Sequence, residues 1–308
     1  MGKQKTSPLR IGLLFISPVL IGYVIFIVVP LIMTLYLSMT DYSIGANQTH
    51  FIGLSNFKDM LTGKDNFFWP SMKATGYYVL VSVPLGITVS FLIAVLLNRK
   101  IALRGFFRSV FYLPVVIPLA SSCVIWMWML QPDFGIINAA LESVGVPGPR
   151  WLSSEDAVIP TFILFSLWIS GGTIVIFLAG LQSIPSHLYE AIEIDGGNAW
   201  HRLRYITIPM SSSVIFFNLV MGFINALQTF VQPAIMTGGG SGGLGQMGGP
   251  NNSSLLIVAY IFQNGFRFSD MGMASAGAMI LFLIAMVFTL LIFRFGKSWV
   301  YYEGDGRR

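Results

Sequence analysis

The sequence predicts an all-helical membrane protein with six transmembrane helices. Three observations lead there. The 308 residues are 55% hydrophobic and only 10% charged, where a soluble domain carries about 25% charged residues, so much of the surface must face lipid. Six segments are apolar over the roughly 20 residues that a helix needs to cross a bilayer. Lys and Arg concentrate in alternate loops, the pattern that orients membrane proteins.

The six segments run through residues 11–39, 72–97, 106–130, 158–181, 209–236 and 271–293. The first is too long for a signal-peptide core and lacks a small-residue cleavage site, so it reads as a retained helix. Pro18, Pro30, Pro84, Pro114 and Pro118 fall inside spans, which membrane helices tolerate where neighbours satisfy the freed backbone groups. Thirteen basic residues occupy one set of ends and loops: Lys3, Lys5 and Arg10; Arg99, Lys100, Arg104 and Arg108; Arg202 and Arg204; Arg294, Lys297, Arg307 and Arg308. The other set holds five, Lys58, Lys64, Lys73, Arg150 and Arg267. The expected orientation puts both termini in the cytoplasm. The net charge of +5 is a topology signal, and nothing in it suggests nucleic-acid binding.

Two outer loops, 41–71 and 131–156, are long and aromatic, with Phe51, Phe57, Phe67, Phe68, Trp69 and Trp151. These suit either interfacial belts or partner contacts. Residues 238–250, GGGSGGLGQMGGP, form a low-complexity loop with no lysine, and so no phosphate cradle. The GKS at 296–298 lacks the glycine at 291 that a P-loop requires, since Leu291 stands there. The chain is expected to bind no ATP by that device and to need no cofactor. Its single cysteine, Cys123, forms no internal disulfide, and His50, His187 and His201 are too scattered for a metal site.

All thirteen acidic residues lie in loops or at span ends, and no span carries a central Lys, Arg or His. Ion-coupled carriers need such groups inside the membrane, and a filter needs charged rings or carbonyl rings. The polar groups that enter the spans are neutral. Ser166, Trp168, Ser170 and Thr173 surround Gly171 and Gly172, while Asn218, Asn225, Gln228, Thr229 and Gln232 flank Phe230. Asn225, Thr229 and Gln232 at i, i+4 and i+7 share a predicted helix face with Gly222. Such a face fits a hydroxyl-rich solute, or equally hydrogen bonding between helices. The pairs Gly272/Ala276 and Ala274/Ala278 read as close helix packing.

The densest polar stretch is YEAIEIDGGNAWHRLRYITIP, residues 189–209. Pro185 and Ser186 predict a helix start with Ser186 as N-cap. Leu188, Ala191, Ile192 and Asp195 share one face, flanked by Glu190 and Glu193. Gly196-Gly197 ends the helix, and Asn198 caps a second over residues 199–206. The pair predicts a cytoplasmic helix–turn–helix whose apolar stripe suits a groove on another protein.

This stretch resembles the EAA loop of ATP-binding-cassette importer permeases, E-A-A-x-x-D-G-A followed by I-T-x-P. FIGLSNF (51–57), NRKIALRGFFRSVFYLP (98–114), PDFGIINAAL (132–141), FLAGLQSIP (177–185) and TGGG (237–240) resemble the carbohydrate-uptake branch, the maltose and glycerol-phosphate permease type. The resemblance implies an importer-type fold with a cytoplasmic coupling helix that docks on an ATPase subunit. Glu190, Ala191, Asp195 and Gly196 match fixed positions, while Ile192 and Gly197 replace alanines. Family sugar contacts fall at Ser166, Trp168, Ile169, Gly172, Gly222, Asn225, Ala226, Thr229 and Phe230. The implied organisation is a cytoplasmic tail over 1–10, a permease domain over 11–297 with its coupling loop at 183–208, and a cytoplasmic tail over 298–308. The implied partners are a second, different permease subunit, two ATP-binding subunits, an extracytoplasmic solute-binding protein and the lipid bilayer of a bacterial or archaeal cell membrane. The implied role is import of a sugar or oligosaccharide with no catalysis by this chain. A glycerol-phosphate importer is the alternative within the class. A passive channel or secondary carrier is the alternative outside it.

Overall fold

The computed structural model describes residues 8–46, 48–99, 102–238 and 247–301. The readings placed on Lys3, Lys5, Lys100, Arg307, Arg308 and the centre of the glycine-rich loop, 239–246, lie outside the described residues, as do most of the two tails.

A hydrocarbon environment offers the backbone no partners, so the apolar segments pair their own N–H and C=O groups as helices. α1 (Pro8–Tyr23), a π-helical turn (Val24–Val28) and α2 (Val29–Leu37) make the first crossing, and α3 (Ser55–Leu61) lies in the loop beyond it. The second crossing is α4 (Phe68–Asn98). α5 (Arg104–Val116), α6 (Leu119–Met129), α7 (Ile136–Ser143), α8 (Glu155–Trp168) and α9 (Gly171–Gln182) follow. The polar loop forms α10 (Ser186–Ile194), α11 (Ala199–Arg202), a π-helical turn (Leu203–Thr207) and α12 (Ile208–Met210). Then come α13 (Ser212–Leu227), α14 (Ile257–Phe262) and α15 (Met271–Trp299). The described residues contain no named strand, only isolated bridges such as Thr40 to Phe51.

The sequence predicts six spans, and three are single continuous helices: Gly12–Leu37, Phe68–Asn98 and Met271–Gly296. The others are broken, by 102° between α5 and α6, 46° between α8 and α9, and 64° between α12 and α13. Each break has a local cause. Pro118 forces Ile117 out of the helical region, to ψ 132°. At the second break, a Cβ on Gly171 would sit 2.3 Å from the Phe111 carbonyl oxygen, so only glycine lets α9 approach α5 there. At the third break Ser211 leaves the helical region at φ −87°, ψ 1°, two residues after Pro209, whose ring removes one upstream rung of the ladder.

The chain divides into two compact units, Met1–Lys64 with Ile261–Ile280, and Asp65–Tyr260 with Leu281–Arg308. In the first, Asn56 is buried and donates to the carbonyls of Ser38 (3.0 Å) and Thr40 (2.9 Å). Ala274 and Ala276 are buried as the small-residue spacing predicts. The first crossing has no buried residue in its most apolar window. His50 folds back on Asp41, its amide donating at 2.6 Å and its Nδ1 lying 2.9 Å from the other carboxylate oxygen.

In the second unit α4 is the axial helix and packs along α8, α9 and α13. One core gathers Tyr78, Val83, Trp126, Phe162, Phe165 and Phe223. A second gathers Phe91, Leu97, Phe177, Leu181 and Ile184, with Leu188, Leu203 and Ile206 from the polar loop packed on it. In lipid there is little hydrophobic drive between helices, so shape and ring geometry carry the association. Phe91 meets Phe177 edge-on at 5.4 Å, and Trp126 meets Phe165 likewise at 5.4 Å, each worth about 1 kcal/mol beyond area.

Candidate functional site: a neutral cavity and a capped surface loop

A cavity of about 390 Å³ opens beside α4. α4 supplies Tyr78, Ser82, Gly86 and Ser90. The α8–α9 bend supplies Ser166, Ile169, Ser170 and Thr173. α13 supplies Asn218, Gly222, Asn225 and Ala226, and the chain just past it supplies Gln228, Thr229, Phe230 and Gln232. Among the described residues that line it, none is charged.

The helix-face argument for Asn225, Thr229 and Gln232 does not hold. α13 stops at Leu227, and Gln228 leaves the helical region at φ −95°, ψ 13°. The three side chains meet at the cavity because the helix ends there. Tyr78, which the sequence reading missed, lines this end of the cavity together with Ser82, Ser166 and Thr229. The missed signal was present in α4, where Tyr78, Ser82, Gly86 and Ser90 recur every four residues on one helix face.

Hydrogen bonds separate structural from available groups. Ser166 and Ser170 donate to the Ile163 and Leu167 carbonyls, both at 2.7 Å. Asn218 donates to the Val214 carbonyl at 2.9 Å, within its own helix, and Thr229 reaches the Asn225 carbonyl at 3.4 Å. The Asn225 side chain is exposed at the cavity wall, and none of these structural hydrogen bonds uses it. Ser90 is buried with an unpartnered hydroxyl. Trp168 and Gly172 do not line the cavity. Trp168 packs into the core against Trp126 (5.8 Å) and Phe165 (6.0 Å), and Gly172 is half-buried with open space at its Cβ position.

The polar loop forms two short helices. α10 begins after Pro185, which occupies the N-cap position, so Ser186 is the first helical residue and makes no cap bond. Its end is a Schellman closure. Gly197 N–H donates to the Ile192 carbonyl at 2.8 Å and Gly196 N–H to the Glu193 carbonyl at 3.1 Å. Gly196 takes φ +78°, the left-handed region where a side chain is strained. Asn198 caps α11 as predicted, its Oδ1 accepting from the Trp200 and His201 amides at 3.0 Å each, while its own N–H donates to His201 Nδ1 at 3.3 Å. Arg202 pairs with Glu193 and so braces α11 against α10. Tyr189 and Thr207 hydroxyls lie 3.3 Å apart and tie α10 to the π-helical turn.

The predicted outward stripe is corrected in detail. Leu188 and Ile192 are half-buried, and Leu188 packs on the second core. Glu190, Ala191, Glu193, Asp195 and Gly196 are exposed, Gly197 is half-buried, and Ile194 is 86% exposed. The outward apolar surface is therefore Ala191 and Ile194, with Trp200 and Tyr205 beyond them.

Residues 83–300 match the family of binding-protein-dependent transport system inner membrane components. The chain is 40% identical over 294 residues to the probable ABC transporter permease protein YesP of Bacillus subtilis, covering 95% of this chain and 92% of that one. It is 29% identical over 296 residues to the trehalose/maltose transport system permease protein MalF of Thermococcus litoralis, covering 96% of each. Its fold is similar to a chain of a bacterial ABC transporter involved in the import of the acidic polysaccharide alginate, with TM-score 0.78, 22% identity and coverage of 94% and 96%. A match over most of the chain, joined to six apolar crossings and a capped polar loop between the fourth and fifth, places this chain in the family of binding-protein-dependent transport system inner membrane components, as a permease subunit of an ABC transporter.

Proposed function

We propose that this chain forms half of the translocation pathway of an ATP-driven importer for a sugar or oligosaccharide. The observation that carries the reading is the neutral cavity, where amides and hydroxyls converge at the end of α13 and Phe230 offers a ring. Amides and hydroxyls bond sugar hydroxyls, and an aromatic ring covers a sugar's apolar face. Ser166, Gly222, Asn225, Ala226, Thr229 and Phe230 line this pathway, with Tyr78 and Ser82 joining them. The relative named for trehalose and maltose transport supports the substrate class. A glycerol-phosphate substrate would want a cation at its phosphate, and none of the described residues in the cavity wall is one.

In this reading α10 is the coupling helix. Glu190, Ala191, Ile192, Asp195, Gly196 and Gly197 shape it, and Ala191 and Ile194 enter a groove of an ATPase subunit. The pathway is completed by a different permease subunit, driven by two ATPase subunits and loaded by an extracytoplasmic solute-binding protein. Both tails, 1–10 and 298–308, lie in the cytoplasm. The test is uptake by the purified complex in proteoliposomes. Labelled sugar, chosen from the panel that the cognate binding protein retains, should accumulate only with ATP inside. Accumulation without ATP would make the protein a carrier or channel and sink the reading.

A further inference from the structure

α5 carries Arg104 and Arg108 one turn apart on one face. Both are half-buried. Among the described residues the ion pairs are His50–Asp41, Lys64–Asp59 and Arg202–Glu193, and neither arginine of α5 belongs to one. Their acceptors are neutral amides. With the Gln182 amide, at the end of α9, turned so that its oxygen faces the two arginines, it accepts from Arg108 Nη2 at 2.8 Å and from Arg104 Nη2 at 3.1 Å. Asn98 Oδ1, at the end of α4, accepts from Arg104 Nη2 at 3.4 Å. The Nε of each arginine is buried without an acceptor. Two half-buried cations set against amide oxygens are poorly compensated, because a neutral acceptor returns far less than a counter-charge.

The opposite face of α5 is apolar and exposed, with Phe106, Val110 and Leu113. The helix turns 102° away from α6. A helix with one arginine face and one apolar face suits the boundary between headgroups and acyl chains. Beside it opens a cavity of about 630 Å³, lined by Asn98, Arg99, Tyr189, Trp200 and Arg202. Asn98 belongs both to this cavity and to the arginine cluster.

We propose that Arg104 and Arg108, with Asn98 and Arg99 at the adjoining cavity, form a phosphate-binding site filled by the headgroup of an anionic phospholipid. Phosphate-ester chemistry would serve a soluble phosphate equally, and the apolar face of α5 favours the lipid as its source. The site sits behind the polar loop, since Tyr189, Trp200 and Arg202 share the cavity wall, so its occupant stiffens that loop from the membrane side.

The experiment uses the complete transporter in nanodiscs of phosphatidylcholine with a stepped fraction of phosphatidylglycerol, with retained lipid counted by native mass spectrometry. The wild type should retain phosphatidylglycerol in preference to phosphatidylcholine. Arg104→Gln/Arg108→Gln should weaken that retention by about ten-fold or more. Arg99→Gln, at an exposed side chain, should weaken it by about three-fold without lowering the thermal midpoint. This single variant decides the matter if the double one fails to assemble. Unchanged retention in the variants overturns the proposal. So does full displacement of the lipid by excess inorganic phosphate, which would assign the site to a soluble ligand. A partner carboxylate seated between the two arginines in the assembled complex would overturn it too.

Discussion

Tyr260 donates its hydroxyl proton to Asp65 at 2.7 Å, joining residues 195 positions apart. The other oxygen of Asp65 accepts from the Phe67 and Phe68 amides at 2.7 and 3.0 Å, at the start of α4. One carboxylate thus caps the axial helix and anchors a buried tyrosine. Ile257 N–H donates to Thr75 Oγ1 at 2.8 Å two turns further along the helix and fixes the same register. Tyr260→Phe should lower unfolding stability by about 2 kcal/mol, the value of a hydrogen bond to a charged group. Asp65→Ala should cost more, because it uncaps α4 as well. Thermal melts of the purified protein check both, and equal losses would disprove the dual role.

Asn225 and Trp168 make opposite predictions. Asn225→Ala removes an exposed amide that braces no other helix, so sugar affinity should fall about five-fold, on the order of 1 kcal/mol, with the melting temperature unchanged. Trp168→Leu should lower the melting temperature and leave affinity near wild type, because its ring packs in the core. Uptake KM and melting temperature on the same preparations decide. A destabilised Asn225→Ala with normal affinity would make that residue helix glue.

Gly196 has open space around its Cβ position, so substitution there is a backbone problem. Gly196→Val must hold φ near +78° with a branched side chain, at a cost of about 2 kcal/mol, or release the Schellman closure. ATP-driven uptake and retention of the ATPase subunits should drop while the crossings stay inserted. Gly196→Asn, which tolerates the left-handed region, should recover most of both. Loss of uptake in Asn and Val alike would mean that the glycine serves contact and not conformation.

Asp41 lies outside the crossings. The His50 amide, and then the His50 ring, hold its carboxyl below the usual 3.8. A lowered carboxylate pKa stabilises the folded loop above the usual value, and that contribution is lost as pH falls through the lowered one. The His50 amide should therefore stay protected from hydrogen exchange from neutral pH down through about pH 4 and open below it. In Asp41→Asn the pH dependence should vanish. An opening centred above pH 5 would contradict it.

The closures of the polar loop were legible because caps are local. Gly196 and Asn198 need only their own neighbours to end and begin a helix. The face of α10 was less legible, because Leu188 turns inward onto the core of Phe91, Phe177, Leu181 and Ile184, a choice made by a core assembled elsewhere. The cavity shows a subtler failure. Asn225, Thr229 and Gln232 belong together, yet helical spacing is not the reason, since the helix ends at Leu227. Tyr78, Ser82 and Ser90 escaped notice because hydroxyls spread along a 31-residue helix look like ordinary self-bonded serines until a neighbouring helix breaks beside them. The bend at Pro118 was written in the sequence, but its 102° angle depends on what α5 rests against.

The end of α13 at Leu227 leaves peptide groups at membrane depth without a helical ladder. Exposed backbone of that kind survives in a bilayer only where protein or water satisfies it; the Gln228 and Thr229 N–H groups turn back to the Ile224, Asn225 and Ala226 carbonyls, and the neutral side chains around them offer water further bonds. In the proposed reading, loading then trades water for solute: each sugar hydroxyl would replace a molecule that these groups bind, and affinity should track how well it copies the geometry of that water. Calorimetry across deoxy-sugars would read this directly, as an enthalpy change that falls unevenly from one missing hydroxyl to the next.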